Sequence, residues 1–264
     1  MNSSDLLTDL RTFTEEYVAR ESAGDGSPNL WRKPLLVAAP LDRRFSRLAE
    51  MGLEDHLAPR DLLASAQSLI VFFIPFAKNL VLKNRKTGFP CRDWGLAYVR
   101  TNDLIGRVSQ ALADRLQELG FASALTPATH NFDEVKLMSR WSHKHLAYLA
   151  GLGRFGVNCQ MITPQGCAGR LGSLVTEARP EERPLIESEE ACLLKSGQKC
   201  GKCMEACPVN ALSPDSFDRR RCWDRLVANR EGLEHFQDLP ESTHVCGKCL
   251  AATPCSFKNP VAAS

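Results

Sequence analysis

Eight of the eleven cysteines in this 264-residue chain lie between Cys192 and Cys255, and that array constrains the fold more than any other feature. Thiols crowded this closely either cross-link or bind metal. The chain opens MNSSDLLTDLRTF, without the basic-then-apolar layout of a secretion signal. That opening predicts a cytoplasmic protein, in which clustered thiols stay reduced and serve as metal ligands. No segment approaches the roughly 20 apolar residues that cross a bilayer, so no membrane partner is expected. The formal net charge of +2 gives no strong electrostatic field, so charge alone does not suggest general nucleic-acid or acidic-membrane binding.

The spacing narrows the metal chemistry. The first group is Cys192, then Cys200-Gly-Lys-Cys203-Met-Glu-Ala-Cys207-Pro208. The second is Cys246-Gly-Lys-Cys249 with Cys255 beyond it, and Cys222 stands between the groups. A [4Fe–4S] cluster takes four thiolates, and in two-cluster ferredoxins the Cys of the Cys-Pro pair serves the neighbouring cluster. Crossed in that way, Cys192, Cys200, Cys203 and Cys255 hold one cluster, and Cys207, Cys222, Cys246 and Cys249 hold the other. Two spacings depart from the compact bacterial run: seven residues separate Cys192 from Cys200, and five separate Cys249 from Cys255. A zinc ribbon on the two CxxC knuckles uses only four thiols and leaves Cys207-Pro208, Cys222 and Cys255 without a role. Two [4Fe–4S] clusters use all eight.

Ahead of the array, helical and strand patterns alternate. Leu6, Leu7, Leu10, Phe13 and Tyr17 predict an amphipathic helix over 4–20 with Ser4 as N-cap. LLVAAP (35–40) and SLIVFFIPF (68–76) read as buried strands, and 41–51 as a helix stopped at Gly52. A further helix spans 102–119, closed by Gly120 and followed by the strand FASALTP. SHKHLAYLAGLGRFG reads as a short helix, capped by Ser142, that runs into a glycine turn. CQMIT (159–163) and LGSLVTE (171–177) read as a strand pair around the loop QGCAGR. The charged stretch EARPEERPLIESEE marks a boundary. The expected organisation is α+β, with one domain over 1–182 and a ferredoxin-like domain over 183–264.

Two segments together carry a family resemblance. AGLGRFGVNCQMITPQGCAGRLGSLVTE, followed by CGKCMEACPVNAL, DRRRC and CGKC, resembles the epoxyqueuosine reductase family and its relatives the corrinoid reductive dehalogenases, over roughly residues 120–260. The resemblance is greatest to the short iron–sulfur members that bear the epoxyqueuosine reductase name. It implies a nitroreductase-like α/β domain that binds cobalamin, followed by the two-cluster bacterial ferredoxin-like domain. It further implies that electrons from reduced ferredoxin or flavodoxin pass through the clusters to the corrinoid, which reduces a small-molecule organic substrate. By the same resemblance, the turn at Gly151, Gly153 and Gly156 and the loop at Gly166 and Gly169 lie against the corrinoid. A helix C-cap and a hairpin turn account for those glycines equally well. The family's D-S-A-P-like acid falls at Leu137 here, and Asp133 is four residues too early. The chain also ends at Ser264 without the family's helical-repeat extension. From these two departures, tRNA is not expected as a partner.

In the segment that corresponds to the family's active site, His143 is a candidate proton donor, since an imidazole titrates near neutrality. His145 lies about 200° around the helix from it, so only one of the two can face a cofactor. Tyr148 is the second candidate donor, by analogy with the dehalogenases. Arg140 and Lys144 are either anion contacts or solvated charges. Arg219, Arg220 and Arg221 read as a solvated helix start. Cys91, Cys159 and Cys167 have no metal spacing and read as small packing residues. The alternative to an enzyme is a ferredoxin-like electron-transfer protein without substrate chemistry.

Overall fold

The run Leu36–Ala39 has no polar member, and a strand of that composition must be covered on both faces. In the computed structural model, which describes residues 2–23, 29–127, 132–251 and 253–261, Leu35–Pro40 forms β1 and Ser68–Pro75 forms β2. They pair antiparallel, from Leu35 opposite Phe73 to Pro40 opposite Ser68, and every residue of β2 is buried. The sheet is completed by β3 (Ser123–Leu125) and, later in the chain, by Gly169–Thr176, in the order β1, β2, Gly169–Thr176, β3. The last strand pairs antiparallel with β3. Between them come β4 (Phe132–Asp133) with β5 (Met138–Ser139), and β6 (Arg154–Phe155) with β7 (Met161–Ile162), two short hairpins. Gly169–Thr176 is therefore β8.

The chain divides into two compact units. The first comprises 1–74, 102–152 and 170–187, and the second 75–101, 153–169 and 188–264. The cysteine array lies in the second, and this unit also takes in 75–101 and 153–169. Sequence gave no sign of those two insertions, because contact partners distant along the chain leave no local signature.

Helix α1 (Ser3–Ala23) buries Leu6, Leu7, Leu10, Thr14 and Val18 along one stripe. Its first free amide is capped by Asn2, whose Oδ1 accepts from the Asp5 N–H at 2.9 Å, two residues earlier than the expected Ser4. The expected helix over 41–51 begins as a 3-10 turn, Arg43–Arg47, capped by the Asp42 carboxylate, and continues as α2 (Leu48–Met51). Two more short helices, α3 (Pro59–Leu62) and α4 (Lys78–Arg85), precede the long α5 (Arg92–Glu118). Helix α5 starts ten residues before the expected 102, because the apolar spacing of Trp94, Ala97 and Thr101 is interrupted by Gly95, which reads as a breaker. Gly95 is there for packing: a Cβ would sit 2.7 Å from Leu239 Cδ1 and 2.9 Å from Phe236 Cε1. Helix α6 is His143–Leu149, and the second unit adds α7 (Lys202–Glu205), α8 (Arg219–Gly232) and α9 (Lys248–Ala251).

The expected pairing of CQMIT with LGSLVTE is not what forms. β7 pairs with β6, with Phe155 opposite Met161, and a tight turn ties Thr163 to Gly166 by reciprocal backbone hydrogen bonds of 3.1 and 2.9 Å. β8, buried from Gly172 to Thr176, takes a central place in the large sheet. Gly172 is required there, since a Cβ would lie 2.3 Å from Phe72 Cζ and 2.8 Å from Ile105 Cγ2. Replacing Gly172 with Ala overpacks this core and should cost about 1–3 kcal/mol, read as a lower thermal-unfolding midpoint with the far-ultraviolet circular dichroism of the folded state retained.

Candidate metal centre

A CxxC turn presents two sulfurs only if its backbone is held in shape. At Cys246–Cys249 the holding groups are three buried asparagines. Asn229 Nδ2 donates to the Val245 carbonyl (2.9 Å), Asn84 Nδ2 to that of Cys246 (3.0 Å) and Asn158 Nδ2 to that of Cys249 (3.1 Å). Their exposures are 1%, 0% and 3%. Asn84 also accepts the Cys91 N–H on its Oδ1, at 3.1 Å, and the Lys248 ammonium on its backbone carbonyl. Gly247, at φ +70°, lies against Trp94, whose ring would be 2.2 Å from a Cβ. The matching Gly201 in the first CGKC has φ −165° and no atom closer than 3.5 Å to a Cβ, so only the second turn demands glycine. Sequence reasoning missed all three asparagines. Nothing local marks them: Asn84 stands between Lys83 and Arg85, where a solvated side chain is the ordinary reading.

The two irregular spacings are taken up by local turns. After Cys192 the chain folds back, Ser196 N–H donating to the Cys192 carbonyl (2.9 Å) and Gln198 N–H to that of Leu193 (2.8 Å), with Gly197 at φ +83°. Near Cys255, Ser256 N–H donates to the Thr253 carbonyl (3.1 Å), and Thr253 Oγ1 lies 3.2 Å from Cys255 Sγ. Cys203 lies on α7, Cys249 on α9 and Cys222 in the first turn of α8, which Asp218 caps by accepting the Arg221 N–H at 2.9 Å. Ala211 N–H points at Cys207 Sγ, 3.2 Å away, a backbone donor aimed at a ligand sulfur.

The charges that act on each thiol reveal which cysteines are neighbours. Burial, then the proximity of Cys255, Cys192 and Cys200, pushes Cys203 up to about 11. Burial, then Cys246, Cys222, Cys203 and Cys207, pushes Cys249 well above the ordinary thiol range. Burial also raises Cys246, against the opposing effect of Lys248 and Arg225. Cys255 moves the other way, down to about 7, because the Cys167 thiol donates to it. Crowded, desolvated thiolates of this kind need a cationic core to hold them charged. Among the described residues, no three Cys, His, Asp or Glu side chains are grouped as a single metal ion would require.

In the first unit, His143 heads α6 and is bonded at both ring nitrogens. Nδ1 lies 2.8 Å from Ser173 Oγ and Nε2 3.2 Å from the Pro127 carbonyl. The carbonyl can only accept, so Nε2 carries the proton and Nδ1 accepts from Ser173. Ser173 Oγ in turn accepts the Trp141 indole N–H at 3.1 Å. Burial, reinforced by Arg170, pulls His143 down to about 4, so it is neutral at pH 7. Tyr148, half-buried in the last turn of α6, is five positions from His143, about 140° around the helix. The two candidate donors therefore do not share a face. His56 resembles His143 in bonding: Nδ1–H donates to the Leu57 carbonyl (2.8 Å), and Nε2 accepts the Ser142 N–H (2.9 Å). Asp133 turns the β4–β5 hairpin, its carboxylate accepting the N–H groups of Val135 (2.9 Å) and Lys136 (2.6 Å). Arg140 pairs with Asp55 at 3.0 Å.

The glycines expected against a corrinoid meet the chain's own atoms. A Cβ on Gly151 would lie 2.4 Å from Pro184 Cβ, on Gly153 2.6 Å from the Ile162 carbonyl oxygen, and on Gly156 2.6 Å from Asn158 Oδ1. On Gly166, at φ +86°, it would lie 2.5 Å from the Ser256 and Phe257 backbone. Gly169 opens β8. Packing and turn conformation account for Gly151, Gly153, Gly156 and Gly166 without a cofactor. These glycines therefore give the corrinoid expectation no support.

Two measurements check these assignments. The ordinary histidine value is about 6.5 and His143 sits near 4 when folded, so the unfolded chain binds the extra proton first. Stability should then fall as pH drops from about 6.5 toward 4, and the His143→Gln variant should lose ~1–2 kcal/mol less over that window in denaturant titrations. At the cysteine turn, Gly247→Ala combines a forbidden φ with the Trp94 clash, and should lower the iron content of purified protein, whereas Gly201→Ala should leave it unchanged.

Comparison with known proteins agrees with this geometry. The family model of the 4Fe-4S binding domain matches residues 198–213. The chain is 27% identical to an epoxyqueuosine reductase of Bacillus anthracis over 224 residues, 79% of this chain and 53% of the relative. It is 25% identical to the Bacillus subtilis epoxyqueuosine reductase over 223 residues, 80% of this chain and 53% of that protein. The chain thus spans about half the length of the curated relatives it matches. In fold it is similar to an epoxyqueuosine reductase solved with an epoxyqueuosine-modified tRNA stem loop, with a TM-score of 0.56 and 18% identity, covering 95% of this chain and 66% of that one. A catabolic reductive dehalogenase matches with a TM-score of 0.58 and 14% identity, covering 86% of this chain and 30% of that one. These matches correct the expectation that excluded tRNA: it rested on a displaced acid and on the chain's end, and the relatives are enzymes named for a tRNA nucleoside, one of them solved with tRNA. Of the expected location, the structure shows that no described helix is long and apolar enough to cross a membrane. In its 4Fe-4S binding segment, the order of its cysteines and its mixed α/β fold, the chain is similar to the epoxyqueuosine reductases.

Proposed function

We propose that this chain is an iron–sulfur reductase with two [4Fe–4S] clusters in its second unit. Cys192, Cys200, Cys203 and Cys255 would hold one cluster, and Cys207, Cys222, Cys246 and Cys249 the other. The observation that carries the reading is the order of the eight cysteines, two CxxC turns with a Cys-Pro and the lone Cys222 between them, all within one compact unit. The surroundings of the thiols support it: Cys203 has Cys255, Cys192 and Cys200 about it, and Cys249 has Cys246, Cys222, Cys203 and Cys207, so the two sets adjoin at Cys203. Clusters of this kind supply one-electron transfer when bound. The chain's own part is to exclude water from the ligands, to fix the second CxxC turn through Asn84, Asn158 and Asn229, and to aim the Ala211 amide at Cys207.

The substrate class follows the relatives. A nucleoside carried on a tRNA stem loop is the first substrate to test, and the acid supplied elsewhere in the family has no counterpart at Leu137. A corrinoid as the terminal electron carrier rests on family resemblance, and the glycines offer it no support. The first unit's histidines hold structure: His143 and His56 orient Trp141, Ser173 and the start of α6.

The test is anaerobic purification of the full chain. About eight irons per chain are expected, with about four retained in Cys200→Ser and in Cys246→Ser, each variant keeping a different paramagnetic signal on reduction. Zinc in place of iron, or loss of all iron from either variant with the fold intact, would sink the assignment. Addition of cobalamin then decides the carrier: a base-off spectral shift places a corrinoid in the protein, and its absence leaves an iron–sulfur protein that works without one. Binding of an epoxyqueuosine-modified stem loop in preference to the unmodified one is expected if the relatives' substrate is shared.

A further inference from the structure

Cys167 belongs to neither set of four, and its spacing predicts no ligand. In the structure it is 3% exposed, and its Sγ lies 3.8 Å from Cys255 Sγ, with the Cys167 thiol as donor. The backbone enforces the contact. Cys167 N–H donates to the Cys255 carbonyl at 2.9 Å, and Ala168 N–H to that of Ser256 at 3.2 Å, so the two segments run side by side. Gly166 makes this possible: at φ +86° it presses against the Ser256–Phe257 peptide, 2.5 Å from where a Cβ would stand. Asn158, which holds the Cys249 carbonyl, is also 3.9 Å from Cys167 Sγ through the same Nδ2. Cys167 is therefore tied to residues of both cysteine sets.

The distance selects among three chemistries. A disulfide requires about 2.05 Å between sulfurs, so the pair is not bonded. Thiolates on two different irons of one cuboidal cluster stand well apart, because each caps a separate corner, so Cys167 and Cys255 cannot both be ligands of that cluster in this arrangement. An S–H···S hydrogen bond fits. Cys255 is one of the eight cysteines of the two-cluster reading and Cys167 is not, so Cys255 is taken as the ligand and Cys167 as its donor.

On the two-cluster reading given above, we propose that Cys167 remains a thiol and donates a hydrogen bond to the thiolate of Cys255, acting as a positioning residue that raises the reduction potential of the first cluster. Reduction adds negative charge to the cluster and its sulfurs, and a donor aimed at a ligand sulfur stabilises that charge. The bond also fixes the Cys255 side chain, whose irregular spacing from Cys249 gives it no turn of the ordinary ferredoxin kind. Ser, with a shorter bond to its hydroxyl, keeps a donor at this position, whereas Ala removes it.

The experiment is iron analysis and a potentiometric titration, followed by electron paramagnetic resonance, on anaerobically purified full-length protein, Cys167→Ala and Cys167→Ser. All three should hold about eight irons. In Cys167→Ala the midpoint potential of one cluster should shift to a lower value while the other stays in place, and Cys167→Ser should recover part of the shift. Loss of about half the iron from Cys167→Ala would make Cys167 a ligand and overturn the proposal. Full iron with unchanged potentials in both variants would reduce it to a packing residue. A wild-type chain without iron would overturn the two-cluster reading itself, a result distinct from either.

Discussion

Like charges brought close together and away from water drive each other apart, and eight cysteines in one compact unit would face that cost in full as thiolates. Their arrangement has to be enforced by groups other than the cysteines. The enforcing groups are backbone and amide: Asn229, Asn84 and Asn158 grip the carbonyls of Val245, Cys246 and Cys249, and Trp94 closes on Gly247. A carboxamide suits this task because it donates without carrying charge, so it can be buried beside sulfur at little electrostatic cost. Once the second CxxC turn is held, the remaining thiols are positioned by short local devices. These are the turn after Cys192, the Asp218 cap that starts the helix of Cys222, and the Thr253–Ser256 turn at Cys255.

The first unit obeys a different constraint. Its sheet is built on β2, buried along its whole length, and two chains of hydrogen bonds run through the packing around α6. Trp141, Ser173 and His143 form one chain of hydrogen bonds, and His56 links Leu57 to Ser142 in another. Burial keeps both imidazoles below their ordinary range. A histidine held neutral with both nitrogens bonded is a joint in the structure, and its place near the glycine turn reflects where α6 must dock. The glycines of that turn show the same economy: Gly151 leaves room for Pro184, and Gly153 for the Ile162 carbonyl.

Much of the chain was legible from residue order. β1 occupies the predicted 35–40, and β2 begins at the predicted Ser68, because uninterrupted apolar runs have few alternatives to a buried strand. The start of α5 was hidden, since Gly95 breaks the helical pattern for a reason that lies in Phe236 and Leu239, far along the sequence. The partner of β8 was hidden for a similar reason: proximity in sequence suggested β7, whereas full burial of Gly172–Thr176 placed it between β2 and β3.

The spacing of the cysteines alone pointed to iron–sulfur chemistry, because few patterns of eight cysteines suit four-iron clusters and this is one of them, and the match to the 4Fe-4S binding domain agrees with it. Tertiary structure decided the rest. It set which buried amides hold the turns, it brought the solitary Cys167 to 3.8 Å from Cys255, and it bonded the candidate histidine at both ring nitrogens. The physical reason is that ligand spacing is a local property, written into a few consecutive residues. The environment of each ligand is made by segments remote in the chain, whose meeting depends on packing that no local pattern records.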